Sequence, residues 1–597
     1  MSRLTGQTVP ARFLARVEKT PNHPAYWHMQ DGKWIQRTWK DLENESARFG
    51  AGLQAVGHGS GESVAIMADT VPEWVSCDLG ALGIGATVIG VYQTLTPSQA
   101  EYVIDHSDAT TLIVQGQKYL DTVLEIQSKL PKVKRIISWD DVETAQDDRI
   151  LLYADVMAKG ETALKLDTGH WRKSVKELDP NQCALIIYTS GTTGPPKGAM
   201  LSHSNIVFMM ETLSQTMDAD ENDVSFAFLP MAHVAEHVVG NYARIEIGFG
   251  GYFARSLETV IDDVAVARPT VFGSVPRIFE KVYAKVQSGL EEAPEGKRKM
   301  AQWAIRTGVE AARLEGEGKS VPFMLKLKRA VADKLVLSKI RKLFGGRVKF
   351  FISGAAPIAL DILEFFQACG MITYEVYGMT ESTGLITGNR PESWKLGTVG
   401  PIIPDVEVVI AGDGEILTRG KHVFMGYFKN EDATKETIDA EGWLHTGDIG
   451  EFDDGGFLRI TDRKKNLIIT AGGKNVAPSN IENLLKGDPL ISQVLVHGDK
   501  RNFLSALITL DPDESAAFAQ KHGLKPEDVP TSKQAHDHVA KHVEACNADL
   551  ARYESIKKWE ILPEDFTVEN EMLTPTMKVK RKQVEEKYRS VLDGFYG

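Results

Sequence analysis

The chain has 597 residues, with 68 Lys and Arg against 81 Asp and Glu, a formal charge of -13. That length exceeds what one core supports and implies several domains. A composition of 43% hydrophobic and 25% charged residues excludes a largely disordered or collagen-like chain. The acidic balance speaks against nucleic acid as a partner, because counterion release needs clustered Lys and Arg.

Residues 1–24 hold no sustained apolar core and no small-residue cleavage site, so no secretory signal is expected. Apolar runs follow at 63–68 (SVAIMA), 86–92 (ATVIGVY), 110–115 (TTLIVQ) and 183–188 (CALIIY), separated by helical patterns. Continuous apolar runs of this length predict buried parallel strands in α/β layers. The longest weakly polar run, 79–92, is short and rich in Gly, too short to cross a bilayer. Cys77, Cys183, Cys369 and Cys546 lie far apart, without zinc-type spacing or a disulfide framework, and suit a reducing cytoplasm.

Directly after the run at 183–188 comes YTSGTTGPPKG, residues 188–198. Gly191, Gly194 and Gly198 let backbone N–H groups approach an anion. Thr189, Ser190, Thr192 and Thr193 add hydroxyl donors, and Lys197 adds charge. This is the composition of a phosphate cradle, although GxxxxGK[ST] is absent because Gly198 follows Lys197. Further on, HVAEH at 233–237 formally matches HxxEH. Two histidines four apart on a helix can share a zinc with Glu236 as base, which gives a zinc-hydrolase reading with no third ligand in any short motif. Segment 321–349 departs from the acidic average with nine basic residues and one acid, Asp333. It reads either as a solvated helix face or as a surface for anionic lipid or a phosphorylated ligand.

Two further clusters are SGAAP at 353–357 and YEVYGMTES at 374–382. Small residues admit a planar ring, Tyr377 can stack on it, and Thr380 and Glu381 offer oxygen ligands suited to Mg²⁺. From about residue 399 the texture changes to short strands joined by Gly/Asp turns, which predicts antiparallel pairing. Within it, WLHTGD at 443–448 puts Asp448 beside Gly447, a carboxylate suited to a ribose diol. The charged stretch 460–466 marks a domain boundary, giving units 1–463 and 464–597.

Taken together these motifs resemble the adenylate-forming superfamily of acyl-CoA synthetases, luciferases and peptide-synthetase adenylation domains, and most of all its long-chain fatty acyl-CoA synthetases. The resemblance rests on segments in family order: 188–203, 229–237 (LPMAHVAEH), 276–281 (PRIFEK), 353–358, 374–382, 446–450 (TGDIG), 462–482 (DRKKNLIITAGGKNVAPSNIE) and 573–581 (LTPTMKVKR). It implies a large α/β N-terminal domain of layered sheets with a β-rich subdomain, and a small mobile α+β C-terminal lid. It also implies ATP and CoA as co-substrates, Mg²⁺, and a long-chain fatty acid as acyl donor.

The resemblance assigns roles as well. The loop from Thr189 through Ser190, Gly191, Thr192, Thr193 and Gly194 to Lys197 would hold the ATP phosphates, and Glu381 with Thr189 the Mg²⁺. Tyr377 would stack on adenine, with Gly354, Ala355, Ala356, Pro357, Gly378 and Thr380 around it, and Asp448 and Arg463 would hold the ribose. Lys578 aligns with the catalytic lysine, with Lys580 its rival. Lys465 matches the hinge and Gly473 the pantetheine tunnel, and His233 becomes an acyl-pocket residue while His237 packs structurally. Ser479 departs from the Glu or Gln expected after VAP. Beside the CoA ligase stand a fatty acyl-AMP ligase serving a carrier protein and an ATP-regulated binding protein without catalysis. Since the partners ATP, pyrophosphate and CoA are anionic, Lys197, Arg463 and Lys578 must act locally, and 321–349 is expected to meet a membrane peripherally.

Overall fold

The computed structural model describes residues 4–142, 147–189, 195–316, 318–574 and 577–597. Apolar runs become strands where the pattern places them: Ser63–Met67, Thr87–Val91, Ala109–Val114 and Cys183–Thr189. With Arg135–Ser138 and Ile150–Leu152 they pair parallel in an eight-stranded sheet, completed at one edge by the antiparallel strands Lys197–Ser202 and Gly426–Tyr427. Helices cover both faces, so the strand residues are buried on each side and show no alternation.

Two four-stranded sheets stand beside the first. One orders Val224–Ala227, Gly250–Phe253, Pro24–Gln30 and Lys33–Thr38; the other orders Val271–Ser274, Phe350–Ser353, Ile372–Tyr377 and Thr387–Gly388. Behind them lies a core rich in phenylalanine, with Phe272, Phe279, Phe351 and Phe366 in edge-to-face contact. The region after residue 399 forms the expected antiparallel sheet, Val406–Ile410, Glu415–Gly420, Leu444–Phe452 and Leu458–Arg463. The last portion has its own core, in which Ile491–His497, Leu504–Leu510 and Ile556–Ile561 form a sheet packed by the helix Lys533–Asp549.

Local chemistry sets several of these elements. Ser202 and Asn205 form a capping box that starts the helix His203–Thr216 straight after its strand, and Thr38 and Asp41 do the same for Trp39–Ala55. Gly90 lies within Thr87–Val91 where a Cβ would stand 2.5 Å from the Cα of Ala232. The turn carrying His233 therefore seats directly on the sheet, which no larger residue at position 90 would allow.

Candidate active site

A cleft of about 970 Å³ opens at the carboxyl ends of the parallel strands, where open α/β sheets place their ligands. The strand Cys183–Thr189 contributes Thr189, Phe350–Ser353 runs into Gly354 and Ala355, and Ile372–Tyr377 runs into Gly378, Thr380 and Glu381. Ala355 holds φ at +67°, a left-handed conformation that costs a non-glycine residue about 1–3 kcal/mol and is tolerated where the surrounding structure enforces it. At Gly378 a Cβ would lie 2.2 Å from the Gly384 carbonyl, so only glycine lets the two backbone segments cross here.

Glu381 is buried, and its Oε1 accepts a 2.7 Å hydrogen bond from the Tyr427 hydroxyl. The Lys197 ammonium sits 4.8 Å from the centre of the same ring, a cation–π contact. Lys197 in turn pairs across the sheet with Thr189, whose Oγ1 donates to the Lys197 carbonyl at 3.4 Å. A cation, a carboxylate and a hydroxyl are thus gathered at one corner, and Tyr427 joins them. Sequence reasoning missed Tyr427. It lies 46 residues from Glu381, and the two-residue strand that carries it has no periodic signal. The oxygen donors Glu381 and Thr189 are of the kind that a hard cation such as Mg²⁺ takes.

A second corner repeats the arrangement. The Tyr377 hydroxyl donates to Asp448 Oδ2 at 2.8 Å, and the Arg463 Nε stands 3.3 Å from Oδ1. Asp448 and Arg463 are also opposite one another on adjacent strands, so the pairing follows from register. Burial and the neighbouring carboxylate push both phenols, Tyr377 and Tyr427, above the usual tyrosine range, so each keeps its proton to donate. The Tyr377 ring packs with Ile386, Ile416 and Leu458, and its residual exposure is 7%. It anchors Asp448 from behind the cleft wall. Ala356 and Pro357 are exposed and outside that wall, while Ser190, Gly191, Thr192, Thr193 and Gly194 lie outside the described residues.

His233 lines the cleft, and its Nδ1 accepts the Ala235 N–H at 3.2 Å. Burial, with the nearby Lys578, brings its pKa down to about 4, so the imidazole is neutral. His237 goes elsewhere: its Nε2 is 3.2 Å from Asp78 and 3.0 Å from the Tyr242 hydroxyl, with Trp74 edge-on. The segment Ala235–Tyr242 is a π-helix, and His233 stands on the bend before it, so the two imidazoles face different partners: His233 the cleft and His237 the buried Asp78 and Tyr242. Among the described residues no group of three or more His, Cys, Asp or Glu could hold a metal ion. Glu236 also lines the cleft, its pKa raised to about 7 by burial against the opposing pull of Arg244.

The C-terminal portion closes the cleft with Lys578, Lys580 and Gln583. The Lys578 N–H donates to Thr574 Oγ1 at 3.1 Å, the Thr574 N–H returns to the Lys578 carbonyl at 2.8 Å, and Met577 beside it holds φ at +62°. Burial and the nearby Arg463 bring the Lys578 pKa down to about 8, against the pull of Asp448 and Glu381. Its charge therefore feels both corners of the site. Lys580 precedes the helix Arg581–Lys587, and Arg581 is held by Glu482 at 2.5 Å.

Several contacts join this portion to the rest, among them the ion pair of Lys521 with Glu291 at 3.3 Å. Arg277, from PRIFEK, reaches Asp511 Oδ2 at 2.6 Å and Ser492 Oγ at 3.5 Å. Asp462 accepts from the Ser479 N–H and hydroxyl, each at 3.0 Å, so the unexpected serine secures the start of the helix Pro478–Leu485. Lys464 bridges Asp413 and Glu415 at 2.6 and 3.0 Å. Lys465 lines the cleft, whereas Gly473, at φ +71°, turns between the short strands Ile468–Ile469 and Asn475–Val476 away from it.

A profile of AMP-binding enzymes matches residues 13–428, and one of the AMP-binding enzyme C-terminal domain matches 465–597. The chain belongs to the AMP-binding enzyme family. The long-chain-fatty-acid–CoA ligase FadD15 of Mycobacterium bovis is 34% identical over 98% of this chain and 97% of its own length. The long-chain-fatty-acid–CoA ligase ACSBG2 of Xenopus laevis is also 34% identical, over 99% of this chain and 84% of its own. The solved adenylation domain of a Mycobacterium chelonae carboxylate reductase shares the fold, with a TM-score of 0.75 at 22% identity over 99% of this chain and 91% of that one.

Proposed function

We propose that the chain is an ATP-dependent long-chain fatty acid:CoA ligase, forming acyl-AMP and pyrophosphate and then acyl-CoA and AMP. The observation that carries this reading is the meeting of Lys578 with Glu381 and Arg463 in one cleft, near enough to Asp448 to feel its charge, although Lys578 comes from the far side of residue 463. The reaction joins two anions, a carboxylate and the α-phosphate, and needs no protein nucleophile. Lys578 would bridge their oxygens and reduce the repulsion between them, while Lys197 meets the departing phosphates. Mg²⁺ bound at Glu381 and Thr189 would supply further neutralisation of phosphate charge. Asp448, held by Tyr377, would take the ribose hydroxyls, and neutral His233 would face the acyl carboxyl end.

The division at 463/464 fits this chemistry. Residues 1–463 hold the nucleotide and acyl pocket, and 464–597 act as a lid that completes the site and keeps water from the acyl-AMP. Among the described residues no helix is long and apolar enough to cross a membrane. We place the enzyme in the cytoplasm with peripheral membrane contact. The test is pyrophosphate release across carboxylic acids from acetate to about twenty carbons, with and without CoA. Release with long-chain acids and acyl-CoA formation are expected. Silence with every fatty acid would overturn the reading, and acyl-AMP accumulating without transfer to CoA would favour a ligase that serves a carrier protein.

A further inference from the structure

The helix Phe323–Ala332 and the turns after it carry an apolar stripe that faces outward. Phe323 is 78% exposed, Leu327 53%, Val331 46% and Leu335 41%, and Met324 widens the stripe. Spacing of i, i+4, i+8 and i+12 sets these side chains along one face of a helix. The opposite side is also apolar, because Leu325 and Ala332 are buried against the protein. A surface helix ordinarily turns polar residues outward, so a row of large apolar side chains in that position marks an interaction site.

Charge identifies the occupant. Lys326, Lys328, Lys334, Lys339 and Lys342 are exposed around the stripe, and none of them forms an ion pair among the described residues. The neighbouring bases that do find acids are Arg329 with Glu315, Arg341 with Asp333 and Lys349 with Asp223. A free cationic rim around an apolar stripe, on a chain of charge -13, suits an anionic lipid surface. A second copy of the chain is a poor occupant, since a twofold contact would bring the same lysines face to face.

We propose that this face docks on anionic bilayers, with Phe323, Leu327 and Val331 entering the headgroup layer and the lysines meeting lipid phosphates. The proposal rests on the ligase reading only for its purpose, since long-chain fatty acids partition into bilayers. The test uses the full chain with vesicles of phosphatidylcholine alone or with about one-third phosphatidylglycerol, read by co-sedimentation. Binding to the anionic vesicles is expected, weakening by about five-fold for each lysine changed to glutamine at positions 326, 328 and 334. The double variant Leu327→Glu/Val331→Glu should lose binding by at least about ten-fold. Its pyrophosphate exchange with a short, water-soluble acid should be unchanged, which separates a surface failure from a failure of the ligase reading. Equal binding by the double variant, no binding by the unaltered chain, or a dimer that the double variant dissolves would each overturn the proposal.

Discussion

The two portions that meet in the cleft hold their reactive groups in different ways. On the large side, Glu381 and Asp448 are each pinned by a buried phenol, Tyr427 at 2.7 Å and Tyr377 at 2.8 Å; Asp448 lies in a sheet, and Glu381 in a tight turn just after a strand. On the small side, Lys578 sits on a loop whose described bonds run only within its own turn, a reciprocal pair with Thr574 and backbone bonds at Met577 and Lys580, next to a residue in left-handed geometry. In the proposed reaction, carboxylates that would meet nucleotide hydroxyls or a cation are fixed before the substrate arrives. The lysine that would act in one half-reaction and leave for the other is carried by the smaller portion.

The sharpest test of that contrast is Lys578→Ala. Loss of a donor aimed at developing charge removes about 2.7–4 kcal/mol in comparable sites, so acyl-AMP formation should fall by two to three orders of magnitude. Conversion of supplied acyl-AMP to acyl-CoA should survive, and Lys580→Ala should lose far less of the first step. Equal loss of both half-reactions, followed by pyrophosphate exchange and thioester formation, would break the division of labour.

A pH profile comes next. The Lys578 ammonium is cationic below its pKa of about 8 and neutral above it. The kcat/KM for adenylation, which reports the free enzyme, should therefore fall about ten-fold per unit as pH rises beyond that value. Lys578→Arg should carry any remaining alkaline limb to higher pH, and an unmoved limb would assign it to another group.

Arg277 tests what holds the small portion in place. Its carboxylate partner Asp511 also caps the helix Pro512–His522, so Arg277→Ala is the cleaner change. A charge-assisted hydrogen bond of about 1.5–3 kcal/mol predicts adenylation slower by about ten-fold to one-hundred-fold, with thioester formation undiminished. A parallel loss in both steps would make Arg277 merely structural. The smallest effect is expected on the large side, where Tyr427→Phe removes only the hydroxyl that orients Glu381. A loss of about 1–1.5 kcal/mol, read as a rise in the Mg²⁺ concentration needed for half-maximal rate, is the expected outcome.

Much of this was legible in the chain itself. Continuous apolar runs identified four strands of the parallel sheet, because burial on both faces leaves a local mark. The short strands and Gly/Asp turns after 399 gave the antiparallel sheet, because tight turns are written in local composition. The glycine-rich loop and the acidic motifs also follow from local composition, and the family from the resemblance those motifs carry. Tyr377 was legible as a site residue but not as the anchor of Asp448, since a ring that can stack and a hydroxyl that can donate look alike in one dimension. HxxEH read as a possible metal pair until the structure showed His237 held in the core by Asp78 and Tyr242.

What only the tertiary structure decided are the partnerships across long separations: Tyr427 with Glu381, Arg277 with Asp511, Ser479 with Asp462. It also decided which face of the helix Phe323–Ala332 is covered, because its apolar residues occupy both sides and periodicity cannot rank them. Local pattern records what a residue requires of its immediate neighbours along the chain. Which distant group meets that requirement is set by the packing of whole sheets and helices, and that leaves no mark at a fixed spacing.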